Sequence, residues 1–520
     1  MFGLPGAALP LRRGRIKLVG ELIMKRRHFL KSSGIGALAF SSTGWAGILQ
    51  EKPAGKSSQA RTTVLEDVGG WVAKLKYEDL PPEAVHRAKQ VLLDTIGCAL
   101  GGVNADPVRI ARQVVELEGG KPQATVIGVG SKVSCEQAAF LNGMALRYLD
   151  YNDYAALGSP HHCSINVAPA LAIAEMRGLT GKDLLLGIIV GYEVQLRLRD
   201  ATEAEKGPKG WDTGTVATSW ASAAAAAKLL GLDASKIAYA MAIAGAHGNT
   251  LAEVRGAALS SGGPMTPSKG TADPMSARLG TFAALLAQAG LTYPLTVLEG
   301  TAGYGKVVSG RLQQDILRQR TGDFQILKDC FKIWPCFVYA QSPIAAALEI
   351  YKKRPVPEQI ESITVGLSES GYQNQQDYLG EITAREHADH SVAHVISRAL
   401  IDGQVKVEDF EERRFREPRV AALIKKVTLH SDPSLSRPGQ EAYGVKIEVR
   451  LRDGNVLRAE LAAPPGSLEN PADDGTLGRK FMALAENVIG KGRAEKATEA
   501  ALSVDRLSNL TDLTRLVSGT

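Results

Sequence analysis

Apolar residues that recur at three- and four-residue steps between residue 64 and about residue 330 constrain this chain more than any other feature. Such spacing puts the apolar side chains on one face of an α-helix, and that face must be buried against a core. The clearest case opens at Pro81 and Pro82 and ends at Gly101 and Gly102, which is the usual order of helix start and stop signals. The pattern predicts a large helical domain.

Several later segments repeat this helical pattern. They are Cys135 to Leu149, Asn166 to Met176, Gly181 to Leu198 and Thr218 to Leu230. The last of these segments is rich in alanine, whose small side chain permits close helix contacts, and it is followed by Gly231, a typical helix end. We therefore expect tightly packed helices with the alanine-rich one at the centre.

The pattern changes at about residue 326. Residues 361–367 and 443–451 alternate between apolar and polar side chains, as β-strands do. Helical periodicity returns from residue 476 to residue 516. The prediction is a mainly α protein with three parts: a helical domain over residues 63–327, a smaller α/β domain over residues 328–464, and C-terminal helices over residues 465–520 that return to the helical domain.

Residues 1–62 read as a leader that is separate from the domains. Arg26-Arg27-His28-Phe29-Leu30-Lys31 resembles a twin-arginine export signal, and a mildly apolar run, too short and polar to span a bilayer, follows it. The sequence predicts a signal peptide and linker, the twin-arginine machinery as a partner, a periplasmic location and no stable membrane insertion. The start of translation stays open between Met1 and Met24. The alternative to a signal peptide is that the leader is a basic disordered tail.

Charge and cysteine content exclude several classes of protein. Residues 1–60 contain ten Lys and Arg against two Asp and Glu, so the remainder of a chain with net charge +6 carries −2. A nearly neutral body without a basic block is not expected to bind nucleic acid. Five scattered cysteines do not form a disulfide scaffold, although a Cys330–Cys336 bond after export stays open.

The sequence predicts neither a metal site nor a nucleotide site. His390 and His394 have the spacing of two ligands on one helix face, but no further ligands accompany them. Glycine-rich stretches at residues 101–103 and 260–264 match neither a dinucleotide fingerprint nor a phosphate-binding loop. A nucleophile elbow of the hydrolase type is also missing from the sequence.

A set of short motifs in a fixed order carries a family resemblance. They are Asn142-Gly143-Met144-Ala145, Leu149-Asp150-Tyr151-Asn152-Asp153, His162-Cys163-Ser164, Gly191-Tyr192-Glu193, Lys269 with Gly280, Leu298-Glu299-Gly300 and Phe331-Lys332-Ile333-Trp334-Pro335-Cys336. From residue 64 to about residue 515 the chain resembles the MmgE/PrpD family, which contains 2-methylcitrate dehydratase, cis-aconitate decarboxylase and iminodisuccinate epimerase. The resemblance implies a homodimer with a large helical domain and a smaller α/β lid. It also implies proton chemistry beside a carboxylate without metal or organic cofactor.

Proton removal beside a carboxylate needs a base, an acid and cations that hold the developing enolate. Asp150 and His162 match the acidic and histidine positions of the family site, so Asp150 is expected to orient or act as base and His162 to move the proton. Lys269 and Lys332 match lysine positions that would bind substrate carboxylates. The alternatives are a helix cap for Asp150, a buried and satisfied His162, and solvated lysines.

Further positions are expected to contact the substrate or to alter the site. Tyr154 and Gln341 are predicted to bind substrate, although Gln341 stands where the family usually has histidine. Asp212 replaces a histidine, His394 replaces a tyrosine of the lid, and Ala272 replaces another histidine. Because Asp212 adds negative charge, methylcitrate and cis-aconitate become poor candidate substrates. Asp212 and His394 are predicted to form a new catalytic acid–base pair, with helix capping and local packing as the alternative.

The predicted function is a lyase of the dehydratase or decarboxylase type, or an isomerase, that acts on a small carboxylate. An epimerase or racemase is the first alternative because proton removal and return needs no leaving group. An exported binding protein without activity is the second. The lost family positions favour that reading, whereas the retained Asp150, His162, Lys269 and Lys332 oppose it.

Overall fold

The computed structural model of the chain describes residues 62–156, 162–202, 210–255, 266–319, 323–436 and 443–519. Residues 62–520 form one compact unit. The predicted twin-arginine signal lies outside the described residues. Within the described ranges, no helix combines the length and the apolar character that crossing a membrane requires.

The N-terminal part of this unit, up to Arg318, is mainly helical, as the apolar periodicity predicted. The helices are α1 (Val64–Lys74), α2 (Pro82–Gly102), α3 (Asp106–Glu118), α4 (Cys135–Tyr148), α5 (Val167–Arg177), α6 (Gly181–Thr202), α7 (Thr213–Leu229), α8 (Ala234–His247), α9 (Ala272–Gln288), α10 (Tyr304–Val307) and α11 (Gln314–Arg318). The mainly α fold class is confirmed.

The alanine-rich helix α7 lies at the centre and packs against α6, α8 and α9. Its alanines are buried, and small residues on its neighbours let the backbones approach closely. At Gly280 of α9 an added Cβ would lie 2.5 Å from the carbonyl oxygen of Ser219 in α7. Only glycine fits that contact, which explains the tight packing that the sequence predicted.

A second core lies in the α/β part. Its strands are β5 (Ile360–Leu367), β6 (Val427–Ser431), β7 (Val445–Leu451) and β8 (Val456–Leu461). They form a sheet of order β6-β5-β7-β8, in which β5 and β6 are parallel and the other neighbours are antiparallel. The helices of this part are α12 (Gln341–Tyr351), α13 (Glu369–Gln375), α14 (Arg385–Ala388), α15 (Val392–Asp402), α16 (Glu412–Phe415) and α17 (Pro418–Ile424). Both predicted strands are confirmed, and β5 and β7 present alternate apolar residues to the core.

The C-terminal segment returns to the helical core. Its helices are α18 (Asp474–Ile489), α19 (Lys491–Leu502) and α20 (Thr511–Leu516). Helix α18 packs along α2, where Phe481 lies against Gly97 so closely that an added Cβ would meet its ring at 3.1 Å. This packing brings the C-terminal part of the chain next to the segment that follows α4.

Short strands complete the frame of the site. They are β1 (Ala124–Thr125), β2 (Lys132–Val133), β3 (Tyr154–Ala155) and β4 (Asp329–Cys330). The pairing of Tyr154 with Cys330 joins the segment after α4 to the segment that leads into the α/β part. Cys330 and Cys336 are both buried free thiols, so the possible disulfide does not form. Burial raises the pKa of Cys330 to about 12.

Candidate active site

Asp150 lies at the centre of a buried charge network. It lies two residues after the end of α4 and has φ 48°, in the left-handed region. Arg147 Nη1 donates to Asp150 Oδ1 at 3.1 Å, and Lys332 Nζ donates to the same oxygen at 2.9 Å and to the Asp150 carbonyl at 2.8 Å. Asp150 is therefore a buried carboxylate held by two cations and does not cap a helix.

Arg147 belongs to this charge network, and the sequence reasoning missed it. Its Nη1 also donates to Asn152 at 2.8 Å, and its Nε donates to Asp273 Oδ2 at 3.0 Å. Thr215 supports Asp273 through a hydroxyl hydrogen bond of 2.9 Å. Arg147 Nη2 is buried and has no hydrogen-bond partner among the described residues. A buried guanidinium that keeps one nitrogen unpaired is a ready donor for a carboxylate.

His162 is held as a neutral imidazole. Its Nδ1 lies 2.8 Å from the carbonyl oxygen of Asp153. Because a carbonyl only accepts, we assign the proton to Nδ1, which leaves Nε2 as the basic nitrogen. Burial first, and then the positive charges of Arg147 and Lys332, hold the pKa of His162 well below 6.5 against the opposing charge of Asp150. His162 is thus in its basic form at neutral pH.

Asp153 fixes the carbonyl that orients His162. Its carboxylate accepts from the backbone N–H of Ser164 at 3.1 Å and from the hydroxyl of Tyr192 at 2.7 Å. Burial, followed by the charge of Asp153, raises the pKa of Asp329 well above its ordinary value. This second layer has no exposed member, so it holds the imidazole rigidly.

Lys480 joins three parts of the chain behind the site. From α18 its Nζ lies 2.6 Å from Asp94 Oδ1 in α2, and it donates to the carbonyls of Tyr151 at 2.7 Å and Lys332 at 3.0 Å. The same ammonium lies 3.9 Å from the centroid of the Tyr151 ring. Burial raises the pKa of Asp94, and Lys480 partly offsets this effect. Lys480 thereby fixes the segments that carry Asp150 and Lys332.

The α/β part contributes His390, which the sequence had indicated only as an unlikely metal ligand. His390 Nε2 lies 3.7 Å from Asp150 Oδ2, and its Nδ1 contacts the carboxylate of Asp389. The ring stacks on Phe337 with 4.9 Å between centroids. The site therefore contains residues of both parts of the chain, Asp150 of the helical part and His390 of the α/β part.

The other predicted substrate contacts have different surroundings. Gln341 is fully buried, its Oε1 accepts from the backbone of Ile333 and Trp334, and its Nε2 donates to the carbonyls of Trp334 and Cys336. Its amide orders the segment after Lys332 and has no hydrogen bond to spare for a substrate. Tyr154 is buried and packs edge-on against Tyr443 at 5.6 Å between ring centroids. The side chain of Lys269 lies outside the described residues.

The predicted pair of Asp212 and His394 is not brought together by any described contact. Asp212 caps α7 by accepting from the backbone N–H of Thr215 at 3.1 Å. His394 lies in the core of the α/β part, with Nε2 3.2 Å from the carbonyl oxygen of Asp409. Burial lowers the pKa of His394 to about 3. The alternative of capping and local packing describes both residues better than an acid–base pair does.

Comparisons with known proteins show the family of this chain. The model of the MmgE/PrpD N-terminal domain matches residues 66–316, and that of the MmgE/PrpD C-terminal domain matches residues 334–506. The chain belongs to the MmgE/PrpD family. Lys332 lies in the short segment between the two matches, so the charge network joins the N-terminal domain to the start of the C-terminal domain.

Characterised relatives cover most of the chain at low identity. Cis-aconitate decarboxylase of Homo sapiens is 28% identical over 477 residues, which are 88% of this chain and 95% of the relative. The Mus musculus enzyme of the same name is 27% identical over 475 residues, with 88% and 94% covered. 2-Methylcitrate dehydratase of Cupriavidus necator is 27% identical over 423 residues, with 77% and 85% covered. These relatives are decarboxylases and dehydratases of small organic acids.

Proposed function

We propose that this protein is a lyase-type enzyme that moves a proton on the carbon beside a carboxylate of a small organic acid, with His162 as the proton-transfer group. The observation that carries the proposal is the imidazole anchored at Nδ1 and kept neutral beside two buried cations. A base near two cations suits a reaction in which a carboxylate gains negative charge. The decarboxylases and dehydratases among the relatives support this class.

In the dehydration form of this chemistry, His162 Nε2 takes the proton from the carbon beside the carboxylate. The electrons of the broken C–H bond move into the carboxylate, whose charge the unpaired nitrogen of Arg147 and the Lys332 ammonium stabilise. They return to form the C=C bond as a β-hydroxyl leaves with a proton, as water. In decarboxylation the C–C bond to a carboxylate breaks, carbon dioxide leaves and the electrons of that bond stay on the carbon. That carbon then takes a proton from His162, which has first taken one up from the solvent.

The low pKa of His162 suits proton return as well as proton removal. After it takes a proton, the imidazolium lies near Arg147 and Lys332, whose positive charges disfavour it. The proton is therefore passed on readily to the leaving group or to carbon. Asp150 limits this repulsion, since its negative charge acts in the opposite direction.

Charge balance favours a substrate with one or two carboxylates. In the described site, the positive charges of Arg147 and Lys332 are matched by the carboxylates of Asp150 and Asp273. Asp212, where the family resemblance leads one to expect a histidine, adds a negative charge next to Thr215, which supports Asp273. Because these four charges already balance, each further carboxylate of a substrate adds repulsion, and this repulsion is largest for a tricarboxylate. We therefore place tricarboxylates last among candidate substrates.

The second part of the proposal concerns the location of the protein in the cell, and it rests on the leader. The Arg26-Arg27 pair and the run that follows it favour export through the twin-arginine route, with function in the periplasm. Residues 24–62 fused to a reporter should be exported, and replacement of Arg26 and Arg27 by lysine should block that export. A reporter that stays in the cytoplasm in both cases would overturn this part of the proposal.

The enzymatic proposal is tested with a panel of mono-, di- and tricarboxylates followed by proton NMR. We expect turnover of one class, and the product separates dehydration and decarboxylation from epimerisation. His162→Gln should lower kcat by about 10²–10⁴-fold. The matched control is His430→Gln, because His430 is exposed on β6 and has no part in the site. Saturable binding without turnover of any member would instead favour an exported binding protein.

A further inference from the structure

His390 lies between two carboxylates. Its Nδ1 contacts the carboxylate of Asp389, and its Nε2 lies 3.7 Å from Asp150 Oδ2. The rings of Phe337 and Tyr378 also lie against it, at 4.9 Å and 5.0 Å between centroids. Because a carboxylate only accepts, a ring nitrogen without a proton would point its lone pair at a negative oxygen. Burial opposes a second proton on the ring, but the carboxylates at its two nitrogens favour it, so His390 is the acid form of the imidazole.

Asp150 links the two histidines of the site. Lys332 and Arg147 contact its Oδ1, whereas His390 faces its Oδ2. The same three groups act on His162, where the two cations disfavour a positive charge and Asp150 favours it. One charge network therefore contains a neutral imidazole and a protonated one. Two titratable groups that are held in opposite protonation states are suited to act as base and acid in one reaction.

The backbone around His390 is fixed by neighbouring elements. Gln375 Nε2 donates to the His390 carbonyl at 2.9 Å, and Gln375 Oε1 accepts from the backbone N–H of Val392 at 2.8 Å. The backbone N–H of Phe337 donates to the Asp389 carbonyl at 3.1 Å. The imidazole is therefore held in one position on a rigid frame, as a group that transfers a proton must be.

We propose that His390 is a second catalytic residue, the acid that protonates the leaving hydroxyl of a β-hydroxy acid. The inference rests on the proposed function, in which His162 takes the proton from the carbon beside the carboxylate. A substrate hydroxyl beside His390 Nε2 and Asp150 Oδ2 can accept from the first and donate to the second. When the C–O bond breaks, its electron pair stays on the oxygen, the Nε2 proton joins that oxygen, and water leaves. His390 then takes a proton from the solvent, and His162 releases one to it.

Exchange of the leaving group separates an acid from a merely structural histidine. Chloride leaves as an anion, so elimination from a β-chloro acid needs a base but no acid. The probes are β-hydroxy mono- and dicarboxylates, malate and 3-hydroxybutyrate among them, and their β-chloro analogues. His390→Gln should lower kcat for the hydroxy acid by about 10²–10⁴-fold and leave chloride elimination nearly unchanged, which also shows that the variant is folded. His162→Gln should lose both reactions, and the matched control His430→Gln should keep both.

Asp389 is a positioning residue, because it contacts Nδ1 and not the nitrogen that gives up the proton. Asp389→Asn removes one of the two negative charges that favour the protonated ring, so His390 should lose its proton at lower pH. The alkaline limb of the pH profile of kcat/KM for the hydroxy acid should therefore move toward neutral pH, and the profile for the chloro analogue should not show this shift. An alkaline limb that stays in place would overturn the role of Asp389.

Proton exchange separates this inference from the function on which it rests. In deuterated water, His390→Gln should still exchange the proton beside the carboxylate in recovered substrate, because His162 is intact. A His390→Gln variant that keeps dehydration, or that loses chloride elimination together with it, would overturn the role of His390 and leave the proposed function standing. A native protein that dehydrates no β-hydroxy acid of the panel would also overturn the inference. If that protein exchanges no proton either, the proposed function falls with it.

Discussion

Replacement of Lys480 by methionine tests the frame that holds the active site. The substitution keeps the length of the side chain but removes an ammonium that lies 2.6 Å from Asp94 and donates to the carbonyls of Tyr151 and Lys332. Breaking a buried ion pair by removing one partner costs about 3–5 kcal/mol, and each stranded carbonyl costs about 1–3 kcal/mol. Since Asp94 can take up a proton, we expect a loss of about 3–5 kcal/mol in the free energy of unfolding at neutral pH.

The loss should depend on pH with a defined sign. Burial already raises the pKa of Asp94 in the folded protein, and removal of Lys480 raises it further because the lysine opposes that shift. The folded state then binds more protons than the unfolded state between the two pKa values, so stability falls as pH rises through that window. The slope is at most about 1.4 kcal/mol per pH unit for one group. Lys480→Met should therefore be closer to the native stability at pH 5 than at pH 8.

Urea unfolding followed by circular dichroism measures both effects. The matched control is Lys352→Met, which removes an exposed pair with Glu349 at 2.6 Å and should cost no more than about 1 kcal/mol. Asp94→Asn combined with Lys480→Met removes the isolated carboxylate and should abolish the pH dependence that Lys480→Met adds to that of the native protein. A Lys480→Met variant within 1 kcal/mol of the native protein, or one with the same pH dependence, would refute the reasoning.

Two further predictions concern the proton-transfer group and the central packing. Lys332→Met should raise the pKa of His162, because Lys332 is one of the two cations that lower it. The acid limb of the pH profile of kcat/KM should therefore move toward neutral pH. An unchanged acid limb would show that His162 is not the titrating base. Gly280→Ala should destabilise the fold by about 1–3 kcal/mol in thermal unfolding, because its Cβ would lie 2.5 Å from the Ser219 carbonyl oxygen. The control Gly492→Ala should not destabilise the fold, because Gly492 has open space around it. Equal effects of the two substitutions would contradict the close helix contact.

The fold was largely readable from local patterns. Helices such as α2 and α7 and strands such as β5 and β7 follow from apolar spacing, because each buries one face against a core. Asp150, His162 and Lys332 were indicated by their motifs, and the structure brings them within one charge network. Their proximity also follows from the pairing of β3 with β4, which the sequence did not predict.

The remaining site residues depend on contacts between distant parts of the chain. Lys480 is separated from Tyr151 by 329 positions, so no local pattern connects them. In the sequence, Arg147 looks like an ordinary basic residue in the last turn of a helix. Only the structure shows that Asp273 lies beside it. His394 is buried in α15 and does not contact the other site residues in any described hydrogen bond or ion pair. His390, four residues earlier in the sequence, lies next to Asp150. A substitution at a family position does not by itself show where the new side chain lies.

Solvent deuterium exchange tests the central claim most directly. The protein is incubated in deuterated water with the carboxylate panel, and the proton beside the carboxylate is followed by NMR in recovered substrate and product. The account predicts that the native protein introduces deuterium at that carbon, that His430→Gln does so at the same rate, and that His162→Gln does not. Deuterium incorporation at the native rate in His162→Gln would contradict the assignment of His162 as the group that transfers the proton.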